Sequence, residues 1–326
     1  MRIAIAADLH LKGVDLNETR RQLQDLIGSS KDCELLVLCG DIFDRPSIGD
    51  EYASTGAIAE VAIEAVASFA EHGRVVMVPG NHDYAGSGAA DALHVFDRMK
   101  DVDILREPEK FAYGDLRITA VPWMWSGGLD PSLLDGIDLL FGHIRTGGAL
   151  MGRHINYETK VGDWTISRAQ LDNCTAKHIA LGDFHGRQDL TGRGGYVGAL
   201  RQVTFGEEGN PQGFEIYDTD TEQAMWVELS QCPTHRTVVL QPGEEIPQKG
   251  VAEKLRVRYL SIPDTDEVRE LESRGVVVQH MIQQDERVQR AEIPEGAIND
   301  RRELIRLWAK TLGKDERVDR MIEVYE

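Results

Sequence analysis

Five short motifs place Asp, Asn or His directly after an apolar run of the sequence. In chain order they are Asp8-Leu-His10, Gly40-Asp41, Gly80-Asn81-His82-Asp83, Gly142-His143 and Gly182-Asp183-Phe-His185. Carboxylate oxygens, amide oxygens and imidazole nitrogens are all ligands of divalent metal ions. Any one of these motifs alone is a weak signal, because such residues usually lie on the surface or cap a helix. Their repetition in this order predicts a shared metal site.

The predicted geometry brings the motifs to one place. Alternation in an extended chain puts Asp8 and His10 on the same side, so both can reach one ion. Glycine at position 40 lets the backbone turn, which places Asp41 at the same end of the strands as Asp8. The Asp41 carboxylate can bridge two ions there. Since ligands in open α/β sheets gather beyond the carboxyl ends of the strands, we expect a binuclear site there.

This ligand set predicts hydrolysis of a phosphate ester. Two divalent ions would clamp the phosphate and lower the pKa of a bridging water, so that a metal-bridging hydroxide attacks in line. His82 is suited to donate a proton in this reaction. Mixed oxygen and nitrogen ligands suit Mn²⁺, Fe or Zn²⁺ better than Mg²⁺ alone, and we expect two divalent metal ions.

The elements around the motifs alternate between strand and helix. Short apolar runs predict strands and helical spacing predicts helices. The strands fall at 2–7, 35–39, 74–78, 102–105, 116–121, 137–141 and 178–181, and the helices at 16–27 and 51–71. The pattern is strand-rich after about residue 195. We therefore expect an α/β fold with two packed mixed β-sheets flanked by helices.

A segment rich in Pro, Gly and charge at 241–250 predicts a domain boundary. It separates a large domain, 1–240, from a small α/β capping domain, 250–295, and a helical tail, 296–326. The tail carries two apolar stripes at helical spacing, within 304–312 and 318–325. Docking onto the large domain and binding of a partner explain these stripes equally well.

Composition narrows the class of protein. The chain is 41% hydrophobic and 28% charged, as expected of a soluble protein. It has no apolar run of the roughly 18 residues that a membrane helix needs. The start of the sequence does not resemble a signal peptide. The four cysteines are scattered, which predicts reduced, buried thiols in a cytoplasmic protein.

The net charge of −19 argues against a surface that coats nucleic acid as a whole. The charge is uneven, since residues 143–201 contain eight Lys and Arg against five Asp and Glu. This local excess could follow a phosphate backbone. Ordinary scatter of surface charges explains it as well.

The five motifs resemble those of the calcineurin-like metallophosphoesterase superfamily over about residues 1–220. The opening Asp-Leu-His-Leu and the segment from Tyr196 through Phe205-Gly-Glu207 further resemble the SbcD-type subunit of a DNA double-strand-break repair nuclease. This resemblance implies a Mn²⁺-dependent exonuclease and endonuclease acting on DNA.

The resemblance also implies roles for individual residues. Asp8, His10, Asp41 and His185 would hold the first ion, and Asp41, Asn81, His143 and Asp183 the second. His82 would protonate or steady the leaving oxygen, and Asp44 would orient His82. We also expect substrate contacts from Arg45, Arg145 and Arg187, although a salt bridge with a neighbouring carboxylate explains Arg45 equally well.

The sequence departs from the superfamily in its last motif, which is usually Gly-His-x-His but here is Gly-Asp-Phe-His. Asp183 would either ligate the second ion, with a changed metal preference or looser binding, or only form a hydrogen bond with His185.

The resemblance further implies that the tail binds the coiled-coil root of an SbcC-type ATPase. Residues 299–326 contain seven basic and seven acidic residues, which favours a protein partner over DNA. A homodimer is possible, and no membrane association is expected. Two alternatives stay open: a phosphoesterase acting on a small nucleotide or similar ester, and a non-catalytic scaffold disabled by Asp183.

Overall fold

The computed structural model describes much of the chain in detail. The described residues are 1–12, 16–44, 55–87, 90–151, 156–160, 162–229, 232, 234–248, 250, 253–261 and 263–280. The chain divides into two compact units, Met1–Thr237 with Gln248–Arg256 and Val238–Pro247 with Val257–Glu326. The predicted tail and the end of the predicted capping domain lie outside the described residues.

The described elements alternate in type along the first half of the chain. The strands are β1 (Arg2–Ala6), β2 (Leu35–Cys39), β3 (Arg74–Val78), β4 (Val102–Ile104), β5 (Glu109–Tyr113), β6 (Leu116–Val121), β7 (Leu139–His143), β8 (His178–Gly182), β9 (Gln188–Asp189), β10 (Gly194–Tyr196), β11 (Gly213–Asp218), β12 (Gln223–Glu228), β13 (Thr234–Leu240), β14 (Glu253–Tyr259) and β15 (Val277–His280). The helices are α1 (Leu16–Ser29), α2 (Thr55–Ala70), α3 (Arg168–Asn173) and α4 (Thr265–Ser273).

The large unit contains two six-stranded mixed sheets. Their strand orders are β12-β11-β1-β2-β3-β4 and β5-β6-β7-β8-β10-β9. Strands β1 to β4 run parallel to one another in the first sheet, and β6, β7 and β8 do so in the second. The expected fold class, two mixed sheets flanked by helices, is therefore confirmed.

The central strands are apolar throughout because both of their faces are buried. On β2, Leu35 and Val37 belong to the same apolar cluster as Phe141 of the second sheet. Leu36 and Leu38, which point the opposite way, pack in the cluster that includes α1 and α2. Burial of each such side chain contributes about 1.5–3 kcal/mol, so the strand ends that carry the motifs are firmly placed.

Among the described strands and α-helices of the large unit, β5, β9 and α3 were not expected from the sequence, and β9 has only two residues. Strand β5 lies at the edge of its sheet and is only partly buried, so it lacks the apolar run that marks a central strand. Helix α3 has only six residues, too few for a periodic stripe. Ser167 precedes it as the N-cap residue, and its hydroxyl accepts a hydrogen bond from the Gln170 amide in a capping box.

The described part of the predicted small α/β region, 250–295, contains β14, helix α4 and β15, and their sheet also includes β13, with order β13-β14-β15. Helix α4 begins after Asp264, whose carboxylate accepts a hydrogen bond from the Asp266 amide at 2.7 Å. The predicted domain boundaries stay predictions. Among the described helices, each is too short or too polar to cross a lipid bilayer.

Candidate metal centre

The carboxyl ends of five strands converge on one cluster of side chains. The first sheet supplies Asp8 after β1, Asp41 after β2 and the Asn81-His82 pair after β3, while His143 ends β7 and Asp183 follows β8. Three groups in the described residues have ligand atoms that all lie within 4.8 Å of one another. These groups are Asp8 with His10 and His185, His10 with Asp41 and His82, and Asp8 with Asp41 and His143.

Asp41 lies between the two halves of this cluster. Its Oδ2 atom is 3.6 Å from Nε2 of His10, and its Oδ1 atom is 3.6 Å from Nε2 of His143. His10 Nε2 is in turn 3.1 Å from His185 Nε2, and His143 Nε2 is 3.1 Å from the amide oxygen of Asn81. One carboxylate thus faces both sets of nitrogen ligands, as a bridging ligand must.

The backbone at these positions is unusual. Asp8, His10 and Asp41 have φ angles of 50°, 43° and 50°, and Asp183 has 99°. Positive φ is uncommon for residues other than glycine, and such strain collects at functional sites. The turns are tied together across strands, since the Asp8 amide donates to the Gly40 carbonyl at 3.2 Å and the His10 amide to the Asp41 carbonyl at 3.0 Å.

Glycine is required where the motifs approach each other. A side chain at Gly80 would overlap the backbone nitrogen and Oδ1 of Asp41. Gly40 has a φ of 82°, and a side chain there would overlap the ring of His143. These glycines explain the pattern of the motifs, because the backbone itself forms the wall of the site.

The cluster combines buried carboxylates with buried imidazoles. Burial raises the pKa of Asp8, although His185 and His143 oppose that effect. Burial acts in the same direction on Asp41, but His143, His10 and His82 outweigh it and lower the pKa of that carboxyl group. Buried charges need compensating partners, and this set of oxygen and nitrogen donors fits divalent cations.

His82 is exposed at the mouth of the cluster and held at two points. Its amide donates to Asp41 Oδ1 at 2.8 Å, and its Nδ1 atom is 2.9 Å from the main-chain carbonyl of Asp44. The Asp44 carboxylate instead lies 3.4 Å from His10 Nδ1 and 3.4 Å from Lys12 Nζ, and its pKa is lowered to about 2 because His10 and Lys12 outweigh burial. Asp44 therefore orients His82 through its backbone and His10 through its side chain.

Glu207 supports the opposite side of the cluster. Its carboxylate lies 3.1 Å from Nδ1 of His185, which fixes the ring so that Nε2 faces His10. Burial lowers the pKa of His185, but Glu207 and Asp8 outweigh it and raise that pKa to about 9. The sequence pattern did not single out Glu207 as a site residue, since it lies 22 positions beyond His185. The one signal was its place in the Phe-Gly-Glu segment.

The three arginines expected at the substrate have different surroundings. Arg145 donates two hydrogen bonds to Asp183, at 2.8 and 3.1 Å. Arg187 lies 3.3 Å from Glu215 and 4.9 Å from the ring of Trp226, so other groups already hold it. Arg45 lies outside the described residues.

Comparison with known proteins points in the same direction as this geometry. Residues 1–147, just under half of the chain, match the family described as calcineurin-like phosphoesterase. A solved structure described as a novel archaeal phosphodiesterase is similar at 14% identity and a TM-score of 0.35, over 70% of this chain and 100% of the other. A likeness this distant says nothing about activity. No curated protein matches the sequence.

The family match supports hydrolysis of phosphoester bonds with divalent metal ions, and the ligand groups described above fit that chemistry. The matched range includes Asp8, His10, Asp41, Asn81, His82 and His143 but ends before Asp183 and His185. The last motif is thus tied to the others by geometry, through the 3.1 Å approach of His185 to His10.

Proposed function

We propose that this chain is a Mn²⁺-dependent DNA nuclease, the catalytic subunit of a complex similar to SbcCD. The observation that carries the proposal is the Asp41 carboxylate, which faces His10 with one oxygen and His143 with the other. Resemblance to the SbcD-type subunit supports DNA as the substrate and an SbcC-type ATPase as the partner. The four buried, free cysteines support a reducing compartment such as the cytoplasm.

Individual residues of the site have separate roles in phosphodiester hydrolysis. Divalent ions, when bound, would polarise the phosphate and activate water. His82 donates its Nδ1–H to the Asp44 carbonyl, which leaves Nε2 as the nitrogen that would face the leaving oxygen; the imidazolium form would give its Nε2 proton to that oxygen and become the neutral ring. Asp44 and Glu207 hold the rings of His10 and His185 in place.

An aromatic pair beside His82 supports a nucleotide substrate. The side chain of Trp125 is 47% exposed, and its ring lies 6.2 Å from that of Tyr84 in an edge-on arrangement. Tyr84 directly follows the Asn81-His82-Asp83 motif. Exposed aromatic rings stack on unpaired bases, and each such contact contributes about 1–3 kcal/mol.

This pair gives a direct prediction. Trp125→Ala should raise KM for single-stranded DNA by about tenfold while leaving kcat on bis(p-nitrophenyl) phosphate unchanged, since that ester carries no base. Leu150→Ala is the matched control, because Leu150 is also exposed, at 44%, but is not aromatic. An equal loss of kcat/KM on both substrates would mean that Trp125 stabilises the catalytic site and does not stack on a base.

The test of the proposal is a metal-resolved nuclease assay. The purified chain should degrade linear DNA in Mn²⁺, and we expect single-stranded, blunt and hairpin ends to be cut at different rates. Bis(p-nitrophenyl) phosphate and a cyclic nucleotide serve as small substrates in parallel. Activity on the small esters alone would replace the nuclease proposal with the small-substrate alternative. No activity on any ester would favour the scaffold.

A further inference from the structure

An arginine binds the Asp183 carboxylate on the His143 side of the cluster. Nε and Nη2 of Arg145 donate to Oδ2 and Oδ1 of Asp183 at 2.8 and 3.1 Å, which is the paired fork of a strong charge-assisted contact. The Asp183 side chain is 4% exposed, and its amide donates to the Asp8 carboxylate at 3.1 Å. Among the described residues, Asp183 is outside the three groups of imidazole and carboxylate ligands whose atoms all lie within 4.8 Å of one another.

Arg145 is itself held in a fixed orientation. Its guanidinium carbon lies 4.8 Å from the ring centre of Trp123 and 5.7 Å from that of Tyr157. The side chain is 31% exposed, so a cation anchored at Asp183 still reaches solvent at the edge of the site. Such an arrangement suits a planar group that binds phosphate oxygens.

The position of this ion pair affects the His143 side of the cluster. Oδ1 of Asp183 is 3.7 Å from His143 Nε2, so the guanidinium that it binds lies close to the place where a second ion would sit. Like charges at such separations repel strongly in a buried site. The His10–His185 side has no comparable cation among its described contacts, apart from Lys12, which binds Asp44 at 3.4 Å.

We propose that Asp183 is a positioning residue for Arg145, and that Arg145 supplies positive charge to the substrate phosphate on the His143 side, where a second ion binds weakly. One ion is then held tightly by Asp8, His10, Asp41 and His185. The role of Arg145 at phosphate rests on the proposed function, whereas the unequal binding of two ions does not.

Metal titration separates this inference from a ligand role of Asp183, because the two predict opposite effects. Full-length chain freed of metal is titrated with Mn²⁺ by calorimetry. The wild type should bind one ion tightly and a second at least about tenfold more weakly. Arg145→Gln should tighten the second ion at least about tenfold, since it removes the neighbouring cation. If Asp183 were a ligand merely oriented by Arg145, the same change would weaken the second ion.

Arg117→Gln is the matched control, because Arg117 forms a similar pair with Asp138 on the surface. It should leave both binding steps unchanged. Arg145→Lys is the second variant and keeps the positive charge without the fork. It should leave the weak second step as in the wild type. Equal affinities for both ions in the wild type, or a second step weakened by Arg145→Gln, would overturn the proposal.

Inorganic phosphate is the probe for the anion role. With one equivalent of Mn²⁺, Arg145→Gln and Asp183→Asn should each raise the Kd of phosphate by about tenfold or more, and Arg145→Lys by less. Thermal unfolding of each variant confirms that it is folded. If phosphate affinity is unchanged in both, the positioning role is wrong. If the titrations hold but DNA is not cut, the nuclease proposal alone fails.

Discussion

At the scale of single residues, His82 differs from the other imidazoles of the site in being exposed. His10 and His143 are buried against carboxylates, as ligands of an ion would be. His82 is held by its amide and by Nδ1, which leaves its remaining nitrogen directed away from these two contacts. We therefore expect His82 to transfer a proton, although one of its ring nitrogens also lies within 4.8 Å of ligand atoms of His10 and Asp41.

His82→Ala should keep the number of Mn²⁺ ions bound and lower kcat by about 10²- to 10⁴-fold, the usual contribution of a general acid. Calorimetry gives the ion count, and a nuclease assay gives kcat. His94→Ala is the control, because His94 is also exposed and its Nδ1 lies 2.8 Å from a main-chain carbonyl, that of Asp91. Loss of an ion in His82→Ala would show that His82 is a ligand.

The clustering of the candidate ligand residues could be predicted from the sequence because each motif follows an apolar run, and these runs form strands of the two sheets whose carboxyl ends meet. Supporting residues could not. Glu207 reaches His185 from a short 3-10 helix, Phe205–Glu207, and Arg145 reaches Asp183 from just beyond β7, the strand next to β8. Their roles depend on long-range pairing that periodicity does not encode. The sequence also left open that Asp183 only forms a hydrogen bond with His185. In the structure the Asp183 carboxylate instead pairs with Arg145.

At the scale of elements, the turn after β3 fits against the turn after β2 only if residue 80 has no side chain. Gly80→Ala should weaken Mn²⁺ binding and destabilise the chain by about 1–3 kcal/mol, since the new methyl group would overlap Asp41. Calorimetry and urea unfolding measure the two effects.

Gly28→Ala is the matched control for that experiment. Gly28 lies in α1 with no atom near its added methyl group, so the substitution should stabilise the chain by about 0.5–1 kcal/mol. Unchanged metal affinity in Gly80→Ala would show that the two turns can move apart and that their contact does not shape the site.

His235, at the start of β13, gives the fold a pH dependence apart from the metal centre. Burial, followed by the nearby Lys254, lowers the pKa of His235 to about 4 from a usual value near 6.5. The unfolded chain therefore binds the proton more readily between these values. The stability that the neutral ring contributes is present above pH 6.5 and is lost as the pH falls toward 4.

Between pH 7 and pH 5, the wild type should lose about 1–2 kcal/mol more unfolding free energy than His235→Gln, which cannot titrate there. Urea unfolding at both pH values measures the difference. His72→Gln, at an exposed histidine, should follow the wild type. Equal losses in wild type and His235→Gln would mean that the ring is already solvated in the folded chain.

At the scale of the whole molecule, both sheets supply residues to each half of the site, since His10 meets His185 and Asn81 meets His143. The fold class followed from apolar runs alternating with helices, because buried parallel strands leave a clear pattern. The edge strand β5 and the short helix α3 left none. Binding of other molecules is predicted for the tail at 296–326, and that prediction rests on its sequence pattern.

The two apolar stripes of the tail carry too little surface to form a core of their own, and the tail's charges balance. We therefore expect it to bind an apolar groove on a protein partner, the coiled-coil root of an SbcC-type ATPase. Trp308→Glu with Leu312→Glu should abolish co-purification with that ATPase while leaving Mn²⁺ stoichiometry unchanged. Lys310→Glu changes the charge off the stripe and should bind normally. A stripe variant that still co-purifies would assign the stripes to docking within the chain, because a charged substitution at a true interface core cannot be accommodated.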